Sequence, residues 1–189
     1  MSELLYPPDP APLLAVKAVR GNSEILPIID ASGLVTGRST RRACHTHPDL
    51  LHPVVHLHII DPYDNIYLQK RSSTKDLFPG RWDTAVGGHV TYGESLHEAL
   101  FRESGEELAF FDFNPVFLED YIWRSPNESE MVNIFATVTD RDIDPDNDEV
   151  EEGRWWTRAE IAEAMGKDVF TPQFEQEYKR IEDRLFVLL

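Results

Sequence analysis

Between Gly87 and Phe110 the chain reads GGHVTYGESLHEALFRESGEELAF, with its polar residues in a strict register: Gly88, five residues, Glu94, seven residues, Arg102-Glu103, two residues, Glu106-Glu107. On a helix advancing about 100° per residue, Glu103, Glu106 and Glu107 cover a narrow arc and crowd three carboxylates together. That crowding is unfavourable unless a cation neutralises it. Leu96, Leu100 and Leu108 form an apolar ridge along the same helix. Clustered oxygen ligands suit a hard ion, Mg²⁺ or Mn²⁺, which keeps some waters and bridges to substrate phosphates. The competing reading is a merely solvated acidic face, but glycine, arginine and acids in one register favour the metal.

The same spacing resembles the Nudix box. In that family the glutamates hold divalent metals, the arginine orients a glutamate, and the glycine lets backbone approach the metal. The resemblance makes Glu103, Glu106 and Glu107 the ligands, with Gly88 and Glu94 supporting the site and Arg102 orienting it. Two positions depart from the family pattern. Ser104 stands where an apolar residue is usual and interrupts the leucine ridge, which predicts slightly weaker helix packing. Ala109 stands where glycine is usual. If the helix leaves through a left-handed residue, alanine there costs about 1 kcal/mol.

With 189 residues and 41% hydrophobic content, the chain is long enough for one good core. We read residues 1–22 as an N-terminal arm, proline-rich at Pro7, Pro8, Pro10 and Pro12 with a short helix over Leu13 to Val19, and residues 23–189 as a single domain. The 34 acidic and 18 basic residues give a formal net charge of −16, which repels polynucleotide backbones and argues against a nucleic-acid polymer as partner. A small diphosphate bound through metal remains compatible with that charge. Cys44 is the single cysteine, the N-terminus carries no leader pattern, and no apolar run reaches about 18 residues, so a cytoplasmic protein without membrane contact is expected. A homodimer is an allowed assembly. Cys44 itself reads as a small semi-buried residue, because no acyl-transfer constellation accompanies it.

Alternation and turn chemistry predict strands over Glu24 to Asp30, Leu34 to Thr36, Val54 to Ile60, Asn65 to Gln69, Trp82 to Val86, Val116 to Trp123 and Met131 to Val138. Asp30-Ala-Ser-Gly33 and Asp61-Pro-Tyr-Asp64 are the predicted hairpin turns. Helices are predicted over Glu94 to Leu108, Arg158 to Met165 and Pro172 to Phe186. Strands alternating with flanking helices define an α/β chain with a mixed sheet covered on both faces. The Nudix resemblance implies the same α/β/α sandwich, with the catalytic loop-helix-loop set into it.

From about Leu26 to Trp156 the chain also resembles isopentenyl-diphosphate isomerase, a Nudix-fold enzyme that moves a double bond. This likeness rests on the run LQKRSSTKDLFPGRWDTAVGGHV, on the spacing of His45 and His52, and on Glu128-Ser-Glu130 ahead of an apolar strand. It implies a second metal set of His45, His52, His89, Glu128 and Glu130. His47 competes with His45 for that alignment, and His56 and His58 alternate on a strand of their own. The isomerases also carry a catalytic cysteine where this chain has Gly87. Glycine cannot donate a proton, so ordinary isomerase chemistry should be lost, whereas the hydrolytic box keeps all its acids.

Lys70, Arg71 and Lys75 form a local cationic cluster in an acidic chain and are the expected phosphate grip, with Arg81 as a further cation. Trp82, Tyr92, Trp123, Trp155 and Trp156 fit a sheet core better than a base-stacking platform. The mechanism expected is Mg²⁺-dependent cleavage of a P–O–P link by water, Glu107, Glu130 or Glu149 taking the water's proton. Two other readings stay open: an isomerase-like enzyme, and a binding module that holds a diphosphate without cleaving it.

Overall fold

The computed structural model describes residues 21–73, 77–143, 145 and 150–188. Residues 1–20 of the arm, with its predicted short helix, and Lys75 and Glu149 lie outside the described residues. Within them the order is β1 (Ile25–Ile29), β2 (Val35–Thr40), α1 (Arg41–Cys44), β3 (Leu51–Ile60), β4 (Asn65–Arg71), β5 (Trp82–Asp83), β6 (Val86–His89) and α2 (Leu96–Leu108). Then follow β7 (Val116–Arg124), β8 (Ser129–Val138), β9 (Val150–Thr157), α3 (Arg158–Ala164), α4 (Pro172–Leu185) and a 3₁₀ turn (Phe186–Leu188). β1 and β2 form a two-stranded sheet, and the other seven strands share a second sheet with β5-β4-β3-β8-β7 in sequence, β6 added to β3 and β9 to β4. This is the α/β arrangement expected, a mixed sheet flanked by helices with the loop-helix-loop at β6 and α2.

Two compact units divide the chain. One contains the chain up to Val55, Gly88–Leu100 and Glu119–Asn133; the other contains His56–Gly87, Phe101–Leu118 and Ile134–Leu189. In the first, β1 and β2 turn through Asp30, whose Oδ1 accepts from the Ser32 amide at 2.8 Å and the Ser32 hydroxyl at 2.6 Å. Gly33 completes that turn at φ 82°, a conformation open to glycine without penalty. The predicted second strand, Leu34 to Thr36, runs on to Thr40, where the Thr40 hydroxyl caps the unforeseen helix α1.

In the second unit β4 is the organising strand. Along its length it pairs antiparallel with β9, while β3 pairs with it at Ile66 and Tyr67 and β5 at Gln69 and Lys70. The predicted strand Trp82 to Val86 thus divides in two, β5 going to β4 and β6 to β3. Strand β9 was not foreseen. Its Gly153 lies where the Tyr67 phenol crosses the strand, and a Cβ there would collide with that ring. Ile60, Ile66, Leu68, Ala136 and Trp156 from the strands meet Ile161, Phe170, Phe174, Tyr178 and Leu185 in one apolar cluster. Phe174, Tyr178, Ile181 and Leu185 recur at helical spacing on α4, which explains the burial of one stripe of an otherwise charged helix. Trp82 and Trp156 pack edge to face at 5.1 Å, so both tryptophans serve the core.

Candidate active site

Helix α2 begins two residues later than the sequence suggests, at Leu96, because Ser95 caps it. The Ser95 hydroxyl accepts from the Glu98 amide at 3.2 Å, and Glu98 Oε2 accepts from the Ser95 amide at 2.8 Å, a reciprocal capping box. The Ser95 amide and, at 2.7 Å, the Ser95 hydroxyl both donate to that carboxylate and hold it below its ordinary pKa. Glu94 stays in the preceding loop, where its carboxylate accepts from the Thr91 amide at 3.0 Å.

Along the rest of the helix Arg102 lies between two acids, with Nη1 2.8 Å from Glu103 Oε1 and 3.4 Å from Glu106 Oε2. The arginine thus holds the two carboxylates that a cation would otherwise have to separate. Glu107 is turned elsewhere. It is buried, and its Oε2 accepts from Gln69 Nε2 at 2.9 Å and from the Gly87 amide at 3.3 Å. Gln69 is a supporting residue that the sequence reading missed, since an isolated strand glutamine carries no pattern of its own.

The helix leaves through Ala109 at φ 51°. The Ala109 amide donates to the Gly105 carbonyl at 3.1 Å and the Phe110 amide to the Ser104 carbonyl at 3.2 Å, the bonding of a left-handed helix exit. Ser104 takes part in this exit as well. Its buried hydroxyl donates to the Phe110 carbonyl at 2.7 Å, so the expected loss of packing is offset by a bond that closes the loop.

The first unit brings three histidines together. One ring nitrogen each from His45, His52 and His89 lies within 4.8 Å of the others, a group able to hold a metal ion. His45 and His89 approach through their Nε2 atoms at 2.9 Å. His52 Nδ1 is bound to the Leu50 carbonyl at 3.0 Å, which leaves the Nε2 lone pair as the outward ligand, and that buried Nε2 has no hydrogen-bond partner. An orphaned acceptor facing two other imidazoles fits a metal. Burial, with Arg41 and His52 nearby, pushes the His45 pKa down to about 4, and burial also lowers that of His52, so both rings are neutral and able to ligate at neutral pH. Glu128 Oε2 lies 3.7 Å from His45 Nε2, and Glu128 and Glu130 are both buried. His47 is turned away, its Nδ1 3.0 Å from the Ala43 carbonyl, which removes it as a competitor of His45. Burial raises the Cys44 thiol to about 11, in keeping with a packing role.

The expected phosphate grip is already engaged with acids. Lys70 Nζ lies 2.9 Å from Glu151, and Arg71 lies 3.2 Å from Asp83 while also donating to the Leu77 carbonyl. Arg81 is paired with Asp168 at 2.8 Å.

A mixed sheet flanked by helices, with a helix entered from a glycine loop, defines the α/β class of this protein. The NUDIX domain model matches residues 50–174, and the chain belongs to that family. It is similar to isopentenyl-diphosphate Delta-isomerase of Streptomyces avermitilis, 28% identical over 159 residues that cover 79% of each chain. An uncharacterized Nudix hydrolase of Nostoc sp. is 29% identical over 147 residues, covering 76% of this chain and 86% of that one. Among solved structures, DR0079 of Deinococcus radiodurans superposes with a TM-score of 0.72 at 23% identity, over 83% of this chain and 98% of that one. The NUDIX domain of Shewanella oneidensis NrtR, complexed with ADP ribose, superposes at 0.59 with 17% identity, over 70% of this chain and 87% of that one.

Proposed function

We propose that this protein is a metal-dependent hydrolase that cleaves the P–O–P link of a nucleoside diphosphate derivative or another organic diphosphate. The observation that carries this reading is the acidic helix with its full set of glutamates, two held by Arg102 and the third by Gln69 and the Gly87 amide. A divalent ion, Mg²⁺ or Mn²⁺, on Glu103, Glu106 and Glu107 would neutralise charge on the phosphoryl group and activate a water. Arg102 holds Glu103 and Glu106 side by side. Glu107, fixed by two donors from the sheet, is the acid of this group best held to receive a proton. In this reading Gly88 and Glu94 support the site, Glu130 is an alternative proton acceptor or metal ligand, and Lys70 and Arg71 would have to exchange their acidic partners for a phosphate.

The reading is tested by phosphate and pyrophosphate release from a panel of nucleoside, sugar and isoprenyl diphosphates, with Mg²⁺, with chelator, and with Glu107→Gln. Release that needs metal and falls about 10²- to 10⁴-fold in the variant supports it, that span being typical of a lost general acid–base group. Wild-type turnover in Glu107→Gln would remove Glu107 from the mechanism.

A second reading has its own support. The histidine trio can hold a metal, and several similar proteins are isopentenyl-diphosphate isomerases. Against it stands Gly87, which offers no proton donor. Conversion of isopentenyl diphosphate to its allylic isomer by the wild-type chain would favour this second reading. Diphosphate binding without either reaction would favour a binding module.

A further inference from the structure

Gln69 of β4 is buried, so its carboxamide must find partners inside the protein. Two carboxylates compete for it. Asp83 stands directly opposite on β5, on the same face of the sheet, and Glu107 comes from α2. Asp83 is already committed: its Oδ1 accepts from the Thr171 hydroxyl at 2.9 Å and the Thr84 amide at 3.0 Å, and its Oδ2 accepts from Arg71 Nη1 at 3.2 Å. The amide of Gln69 therefore goes to Glu107, with Nε2 2.9 Å from Oε2. The reverse orientation would set an amide oxygen against an ionised carboxylate, two acceptors with no proton between them, so the donor end is the one that faces the acid.

Glu107 is buried as well, and an ionised carboxylate at that depth is costly unless hydrogen bonds replace the lost water. Gln69 and the Gly87 amide, 3.3 Å from the same oxygen, supply two such bonds. Both donors are neutral. They orient the carboxylate without cancelling its charge, whereas Arg102 meets Glu103 and Glu106 with a full positive charge. Gln69 is itself paired on both edges of its strand, with Asp83 of β5 and Gly153 of β9, which gives its side chain a fixed base.

We infer that Gln69 is the positioning residue of the candidate active site, its Nε2–H holding Glu107 in the orientation in which that acid serves the reaction. The inference rests on the reading of this protein as a metal-dependent diphosphate hydrolase. Gln69 acts only through Glu107, and no covalent bond forms or breaks at its amide. Loss of the amide should therefore appear in turnover and in metal affinity, and leave the grip on the diphosphate nearly unchanged.

The test is a double-mutant cycle on the full chain, with Gln69→Met, Glu107→Gln and the two together, assayed on a diphosphate from the substrate panel and by calorimetric titration with Mn²⁺. Methionine keeps the length of glutamine and removes its donor. Gln69→Asn, which draws the amide back by one methylene, takes its place if the methionine variant does not fold. Gln69→Met should lower kcat and Mn²⁺ affinity by about ten- to a hundredfold, the span usual when a group that orients a ligand is lost, with KM moved by less than about twofold. In the Glu107→Gln background the same change should cost less than about threefold, because the residue it acts through is already disabled. Equal losses in both backgrounds, or full activity in Gln69→Met, would overturn the inference and leave the hydrolase reading intact. If no diphosphate is cleaved, hydrolysis is overturned and the cycle is read on Mn²⁺ affinity alone. Non-additive losses there would uphold the positioning of Glu107, and additive or absent losses would overturn it too.

Discussion

Alanine at 109 holds φ 51°, a region where its Cβ crowds the backbone, because the Gly105 and Ser104 carbonyls must be met by the next two amides. Ala109→Gly should remove that strain and stabilise the protein by about 1 kcal/mol, raising Tm by about 2–4 °C, as a thermal scan would show. A second consequence concerns His45. Its folded pKa, about 4, lies below the ordinary 6.5, so between those values the unfolded chain takes up a proton that the folded chain refuses. Stability contributed by this ring is complete above pH 6.5 and declines as pH falls toward 4. Urea melts across that window should show the decline, and His45→Gln should flatten it. Sequence spacing placed Glu103, Glu106 and Glu107 on a single helix, and α2 carries all three. It did not foresee that Arg102 takes two of them and Gln69 the third, since Gln69 and Glu107 meet only through the pairing of distant segments.

At the level of elements, capping decides where helices begin. Thr171 caps α4 by accepting from the Phe174 amide at 3.1 Å, Pro172 stands at its first turn, and the same hydroxyl donates to Asp83 Oδ1 at 2.9 Å. Thr171→Ala removes a cap and a buried hydrogen bond together, and should cost about 2 kcal/mol by chemical denaturation, whereas Thr171→Ser should restore most of it. Hairpins and long helices were legible because their signals are local: Asp61 turns the chain by accepting from the Tyr63 and Asn65 amides, and α4 carries its apolar stripe openly. Strand β9 was not legible. Glu151, Glu152 and Gly153 break any alternation, and the segment is a strand because β4 offers it a continuous row of partners from Asn65 to Arg71.

For the molecule as a whole, metal is the strongest expected lever on stability. A ligand bound only by the native state stabilises in proportion to the logarithm of its concentration over Kd. Mn²⁺ or Zn²⁺ at a hundred times Kd should add about 2.7 kcal/mol, read as a rise in Tm that chelation reverses. His89→Gln should abolish the part of that rise owed to the histidine trio, and an unchanged response would show the trio binds no ion. No helix among the described residues is long and apolar enough to cross a membrane. The sequence by itself determined the class of fold, the acidic helix and its glycine entry, because periodicity and residue spacing act within one segment of chain. Only the tertiary structure decided which histidines meet, which acid the sheet holds and where His56 points, because those contacts join residues such as His56 and Glu177, 121 positions apart. Local pattern carries no term for such pairs.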